Sequence, residues 1–120
     1  MATTDKCCSI VPYFKVQNGK MDDFKKVCEE FVARTSSESE CLYYGFVFNK
    51  DIAHCREAYT NAQGVLSHIA NVGDIIEKAL TLSELVQFEI HGPKEELDQL
   101  KEPLKDLDIT YFELEYGFRK

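Results

Sequence analysis

Glu57, His68 and Tyr44 are the side chains of this sequence best suited to handle a proton or hold a hydroxyl. A histidine has an unperturbed pKa of about 6.5, which suits proton transfer near neutrality. A carboxylate on an apolar face has its charged form disfavoured, so it can bind a hydroxyl or move a proton. Each also has a plainer role. Glu57 could be a structural acceptor tied to Tyr44 or a backbone N–H. His68, one turn after Val65, could be a half-exposed residue bordering the apolar stripe of Ala62, Val65, Leu66 and Ile69. The histidines at 54, 68 and 91 show no HxxxH or HExxH spacing, so no metal site is expected. No GxGxxG, Walker or GxSxG pattern is present, which removes support for nucleotide binding and serine hydrolysis.

The strands decide whether these groups meet. Cys41-Leu42-Tyr43-Tyr44-Gly45-Phe46-Val47-Phe48 reads as a strand, Asn49-Lys50-Asp51-Ile52 as a turn, and Ala53-His54-Cys55-Arg56-Glu57-Ala58-Tyr59 as the returning strand. A loop centred on Lys50-Asp51 sets Phe48 opposite Ala53, Phe46 opposite Cys55, Tyr44 opposite Glu57 and Leu42 opposite Tyr59. All eight side chains then share one face, apolar and aromatic with a single carboxylate. An odd-length loop or a bulge would break this register. His54 and Arg56 fall on the opposite face, at a sheet rim or a dimer edge.

Around the hairpin, Cys8 to Val16 reads as a strand. Pro12 lacks an N–H, so this strand is expected at an edge or with a bulge. After Asn18-Gly19 a helix begins at Lys20, with Met21, Phe24, Val27, Cys28, Phe31 and Val32 at helical spacing. Ser36-Ser37-Glu38-Ser39-Glu40 is a polar loop. Thr60-Asn61-Ala62-Gln63 matches a capping box with Thr60 at the cap. Gly73 interrupts the helix that follows, and Asp74 restarts a short one. Glu84 to Ile90 is a strand. Pro93 opens a helix carrying Leu97, Leu100 and Leu104, which Pro103 kinks or splits, and Ile109 to Phe118 is the last strand.

The order is β-α-β-β-α-β followed by α-β. The class is therefore α+β, with a ferredoxin-like βαββαβ unit and an extra C-terminal helix and strand. A sheet with helices on one side leaves its other face bare, and such a face is normally polar. Here it carries Tyr43 and Val47, which points to an interface. A sheet-to-sheet homodimer follows.

Length and composition agree. The 120 residues suit one domain, 44% hydrophobic and 29% charged, with net charge −7. No basic patch or basic amphipathic helix appears, so neither nucleic acid nor a membrane is an expected partner. No apolar run is long enough to span a bilayer, and the first residues lack a signal-peptide profile, so a cytoplasmic location is expected. Cys7, Cys8, Cys28, Cys41 and Cys55 form no CxxC pair and are expected as free thiols.

Tyr43-Tyr44-Gly45-Phe46, Arg56-Glu57-Ala58-Tyr59-Thr60-Asn61-Ala62 and Ser67-His68-Ile69 together resemble the antibiotic biosynthesis monooxygenase domain. The resemblance covers about residues 8–90 of a single domain spanning 1–120, with an extension over about 91–120. It implies a dimeric α+β barrel with a ligand cleft between sheet and helices. It also implies cofactor-independent oxygenation of a small phenolic or quinol-type aromatic, with His68 as the base and Tyr44, Glu57 and Tyr59 holding the ligand. The family also holds haem-degrading members and members with no known activity. The haem-degrading branch uses a tryptophan, and this chain has none. A non-catalytic, small-ligand-binding or stress-related dimer of the same fold is the alternative.

Overall fold

The computed structural model describes residues 3–120. Strand β1 (Cys8–Val16) alternates: Cys8, Ile10, Pro12, Phe14 and Val16 are buried, and the residues between them face the other way. Helix α1 (Met21–Thr35) buries Phe24, Val27, Cys28 and Phe31, one stripe at helical spacing, and Asp22 and Asp23 complement its N-terminal dipole. Strands β2 (Cys41–Asn49) and β3 (Ile52–Tyr59) follow, then helix α2 (Ala62–Leu82), strand β4 (Ser83–Gly92), helix α3 (Lys94–Lys101) and strand β5 (Thr110–Glu113).

The sheet runs β2-β3-β1-β4-β5. Its first four strands are mutually antiparallel, which with α1 and α2 makes the ferredoxin-like unit. β5 pairs with β4 in parallel, Glu89 to Gly92 against Thr110 to Glu113. A parallel neighbour needs a crossover, and α3 supplies it. The sheet does not close on itself within the chain.

Two apolar cores fill the space between sheet and helices. One gathers Phe14, Phe24, Phe31, Ala53, Val72 and Ile75, joining α1 to the second half of α2. The other gathers Ile10, Tyr59, Val65, Ile90, Leu97 and Leu100, joining the start of α2 to α3. Glu96 ties the second core to the start of α2: its Oε1 accepts from the Ala62 N–H at 2.9 Å.

The hairpin pairs as expected from Asn49↔Ile52 through Tyr44↔Glu57, because a two-residue turn with Lys50 at φ 55° closes it. Beyond that a bulge intervenes between Cys41 and Tyr43, so Cys41 rather than Leu42 meets Tyr59. β1 is central, not an edge. The expected irregularity is present, as a register shift against β4 between Tyr13 and Phe14. On the β3 side no ladder pair forms at Val11 or Pro12, and His54 Nδ1 bonds the Pro12 carbonyl at 2.7 Å. A central proline is tolerated because its missing donor falls in that gap.

Three boundaries also move. Asn61, not Thr60, caps α2, its side chain accepting from the Gly64 N–H at 2.9 Å. Gly73 does not break α2, which is continuous because Val72, Ile75 and Ala79 are all buried on one face. The last strand is shorter than its sequence pattern, four residues rather than ten, because only Thr110–Glu113 lies beside β4.

Gly92 shows how closely the second core is fitted. A Cβ there would lie 2.8 Å from Cys8 Sγ and 3.3 Å from Leu97 Cδ2, both on buried residues. Gly92→Ala is expected to destabilise the protein by about 1–3 kcal/mol, as overpacking does. Urea unfolding checks it, and an unchanged midpoint would contradict this packing.

Candidate functional site

The seam between the two cores is polar. On β3, Glu57 lies between Cys55 and Tyr59, and on α2, His68 lies one turn from both Val65 and Val72. Both face inward: Glu57 and His68 are each 4% exposed. His68 is therefore not the half-exposed border residue that its spacing allowed. Its Nε2 lies 3.5 Å from Glu57 Oε1.

The other ring nitrogen has a firm partner. Nδ1 of His68 lies 2.9 Å from Glu38 Oε2 and 3.1 Å from Glu38 Oε1. Asn71, one turn further along α2, donates from Nδ2 to the same Glu38 Oε2 at 2.8 Å. A carboxylate accepts, so Nδ1 carries the proton and Nε2 is left bare toward Glu57. Glu38 lies in the segment that reads as a polar loop, Ser36 to Glu40. That loop is instead a folded turn, with Glu38 N–H bonding Thr35 O and Thr60 N–H bonding Glu40 O. Thr60 Oγ1 also donates to the Glu40 carboxylate.

Glu57 accepts its hydrogen bond from Tyr59, whose hydroxyl donates to Oε1 at 2.7 Å. Tyr44 is the cross-strand neighbour of Glu57, but the bond comes from Tyr59. The rings of Tyr44 and Tyr59 flank His68, with centroids 5.3 and 5.0 Å from the imidazole. All four site candidates thus meet in one cluster. Tyr59 is fully buried and does not line the cavity. His54 is on the opposite face, stacked on Tyr13 at 4.4 Å, and Arg56 lies over Tyr43 there.

Burial determines the protonation of this cluster. Desolvation raises Glu57 to about 7, against the smaller lowering effect of its hydrogen bonds from Tyr59 and Cys55. Desolvation lowers His68, and Glu38 pushes partly back by bonding to it. Tyr44 and Tyr59 are both raised, burial first, so both remain donors at neutral pH. The result is a neutral imidazole beside a carboxyl that can hold or release a proton near pH 7. They face a cavity of about 80 Å³ whose other walls are apolar, among them Phe31, Phe46, Ile69 and Phe88. Such a pair can take a proton from a ligand oxygen at one atom and return one at another. Among the described residues, no group of three or more His, Cys, Asp or Glu side chains is disposed to hold a metal ion. The cysteines are free thiols. Among the described residues, no helix is long and apolar enough to cross a membrane.

No protein-family profile matches the sequence, and no curated protein does. Solved structures do match. A variant of SnoaB, a cofactor-independent oxygenase from Streptomyces nogalater, aligns with TM-score 0.65 at 12% identity, over 74% of this chain and 94% of that one. A Caulobacter crescentus protein, grouped by name with the antibiotic biosynthesis monooxygenases, gives TM-score 0.65 at 19% identity over 72% of this chain and 88% of that one. Identities this low define a shared fold, and that fold is the antibiotic biosynthesis monooxygenase type. MupZ from Pseudomonas fluorescens is much more similar, at 43% identity over 96% of this chain and 95% of that one, with TM-score 0.91. The chain belongs to the family of MupZ.

The raised Glu57 has a consequence for stability. Its folded pKa of about 7 exceeds the ordinary 4.5, so the folded state holds this proton more tightly than the unfolded chain does. The resulting contribution is complete below pH 4.5 and is lost as pH rises through 7. Glu57→Gln keeps the shape and cannot ionise. Between pH 4.5 and 7.5 the wild type is expected to lose up to about 3 kcal/mol relative to Glu57→Gln. Parallel urea titrations of the two proteins check this, and a constant difference across that range would contradict a buried, late-titrating carboxyl.

Proposed function

We propose that the chain is a cofactor-independent monooxygenase acting on a small phenolic or quinol-type aromatic. The observation that carries the reading is the fixed tautomer of His68, whose bare Nε2 faces an apolar cavity beside Glu57. A phenol titrates near 10 and is a poor electron donor while protonated. Nε2 takes the phenolic proton, and Glu38 steadies the resulting imidazolium. Tyr44 and Glu57 orient the ring, and Tyr59 acts through Glu57 rather than on the ligand. The phenolate then passes electrons to dioxygen. One oxygen atom enters the ring as a quinone carbonyl and the other leaves as water, with the substrate supplying all four electrons. The low-identity likeness to a cofactor-independent oxygenase supports the reading at the level of fold.

A second reading rests on a different observation. Oxygenation needs only a base, yet Glu57 is held in a state that can also donate. An acid beside a base suits opening of a C–O bond without redox change, as in an epoxide. The base takes a proton from the attacking hydroxyl while the acid protonates the departing oxygen.

Oxygen uptake with a panel of hydroquinones, set beside anaerobic turnover of small aryl epoxides, separates the two. His68→Ala is expected to lower whichever activity is found by about 10²–10⁴-fold. Uptake at the wild-type rate in His68→Ala would remove this histidine from the mechanism. Inertness toward both panels would leave a small-ligand-binding protein of the same fold.

The same reading includes a homodimer formed through the bare sheet face, with the protein at work in the cytoplasm. That face carries Tyr43, Val47 and Phe112, which are 45%, 47% and 49% exposed in the single chain. Tyr43 and Val47 on β2 and Phe112 on β5 stand toward opposite edges of that face, and apolar side chains this exposed call for cover. Sedimentation at micromolar concentration is expected to give about twice 13.8 kDa. Val47→Asp should give the monomer mass, since it would bury an unpaired charge. A monomeric wild type would sink the dimer.

A further inference from the structure

The inner cavity is too small to be a whole ligand site. At about 80 Å³ it falls well below the roughly 300–1,000 Å³ of ordinary small-molecule pockets. A second hollow adjoins it. Ile69, Ile76, Leu80, Leu85 and Phe88 line both this cavity and that hollow, which is about 390 Å³. The outer hollow runs between α2, β4 and the segment at Leu107 and Asp108, and its walls are mainly apolar. It lies on the helix side of the sheet, away from the bare face.

Gly73 gives an independent reason to regard the outer hollow as kept open. It sits inside α2 and lines the groove. Glycine inside a helix costs about 1 kcal/mol relative to alanine. No close packing requires it here, because a Cβ on Gly73 would meet nothing within 4 Å. The space that a longer side chain would take is the groove itself.

We propose that this groove holds the apolar chain of an amphipathic substrate whose oxygen-bearing end enters the Glu57–His68 cavity. The proposal rests on the reading that this pair faces the ligand, and it changes the substrate class. The substrate is not a small ring alone but a phenol carrying a hydrocarbon chain. The two spaces have five apolar side chains as common walls, so the order is polar end inward and chain outward. Gln87 and Asp108 at the rim mark where the chain reaches water.

The test is isothermal titration calorimetry of phenol, para-ethylphenol, para-butylphenol and para-hexylphenol against the full-length protein. In the wild type the Kd should fall by about fourfold per methylene, the usual gain for burying each one, until the groove is full. Gly73→Leu should abolish that gain and leave the phenol Kd within about twofold. Leu107→Asp, at a position 44% exposed and so tolerant of folding, should weaken only the longer chains. A wild-type Kd independent of chain length overturns the groove and leaves the acid–base site untouched. A full chain-length gain in both Gly73→Leu and Leu107→Asp overturns it as well. A chain-length gain that persists in Glu57→Gln with equal phenol affinity sustains the groove and removes Glu57 from the polar end.

Discussion

Glu57 is a carboxyl in a seam nearly closed to water, and its charged neighbour candidate is an imidazole that the same burial keeps neutral. Ionising it there would cost several kcal/mol without a paired cation. The protein therefore holds a proton where a surface glutamate would have lost it. The rest of the site follows. Tyr59 fixes one carboxyl oxygen, Glu38 fixes the histidine tautomer, and Asn71 fixes Glu38. Each of these groups touches another protein group rather than the cavity's interior, so the proton-handling atoms are left few and defined.

The two-core architecture makes such a seam possible. A single continuous core would have filled the position of Glu57 and His68 with hydrocarbon. Here α2 spans both cores, contributing Val65 to one and Val72 and Ile75 to the other. His68 lies on the stretch of helix between them. The start of that helix is held by Asn61 and by Glu96 of α3. The extra C-terminal helix thus steadies the element that carries the histidine, and the Glu96 carboxyl on the Ala62 N–H connects the α3–β5 extension to the site.

The fold and the chemistry carry different weight. Structures sharing 12–19% identity reproduce the fold, and a fold hosts many reactions. Identity of 43% over nearly the whole chain places the protein in the family of MupZ. Function has to be argued from the site. The site pairs a late-titrating carboxyl with a neutral imidazole, and the proposed proton transfer rests on that pair.

Local periodicity determined a large part of the structure. Alternation along Cys8–Val16, helical spacing in Phe24, Val27, Cys28 and Phe31, and the two-residue turn at Lys50-Asp51 are short-range properties of the backbone. They bring Tyr44 opposite Glu57 and place His68 on the following helix without reference to any tertiary contact. Other features depended on which surfaces meet. Glu38 is 30 residues from His68 and sits in a loop whose composition reads as solvated, so nothing local marks it. His68 is legible as a border residue, and its burial comes from Glu38 of that loop together with Tyr44, Tyr59 and Glu57 of the sheet. The bulge near Leu42, the central position of Pro12 and the parallel pairing of β5 likewise depend on neighbouring strands. Repeating backbone geometry is encoded residue by residue, whereas burial and proton affinity belong to the space between elements, and only the packed tertiary structure defines that space.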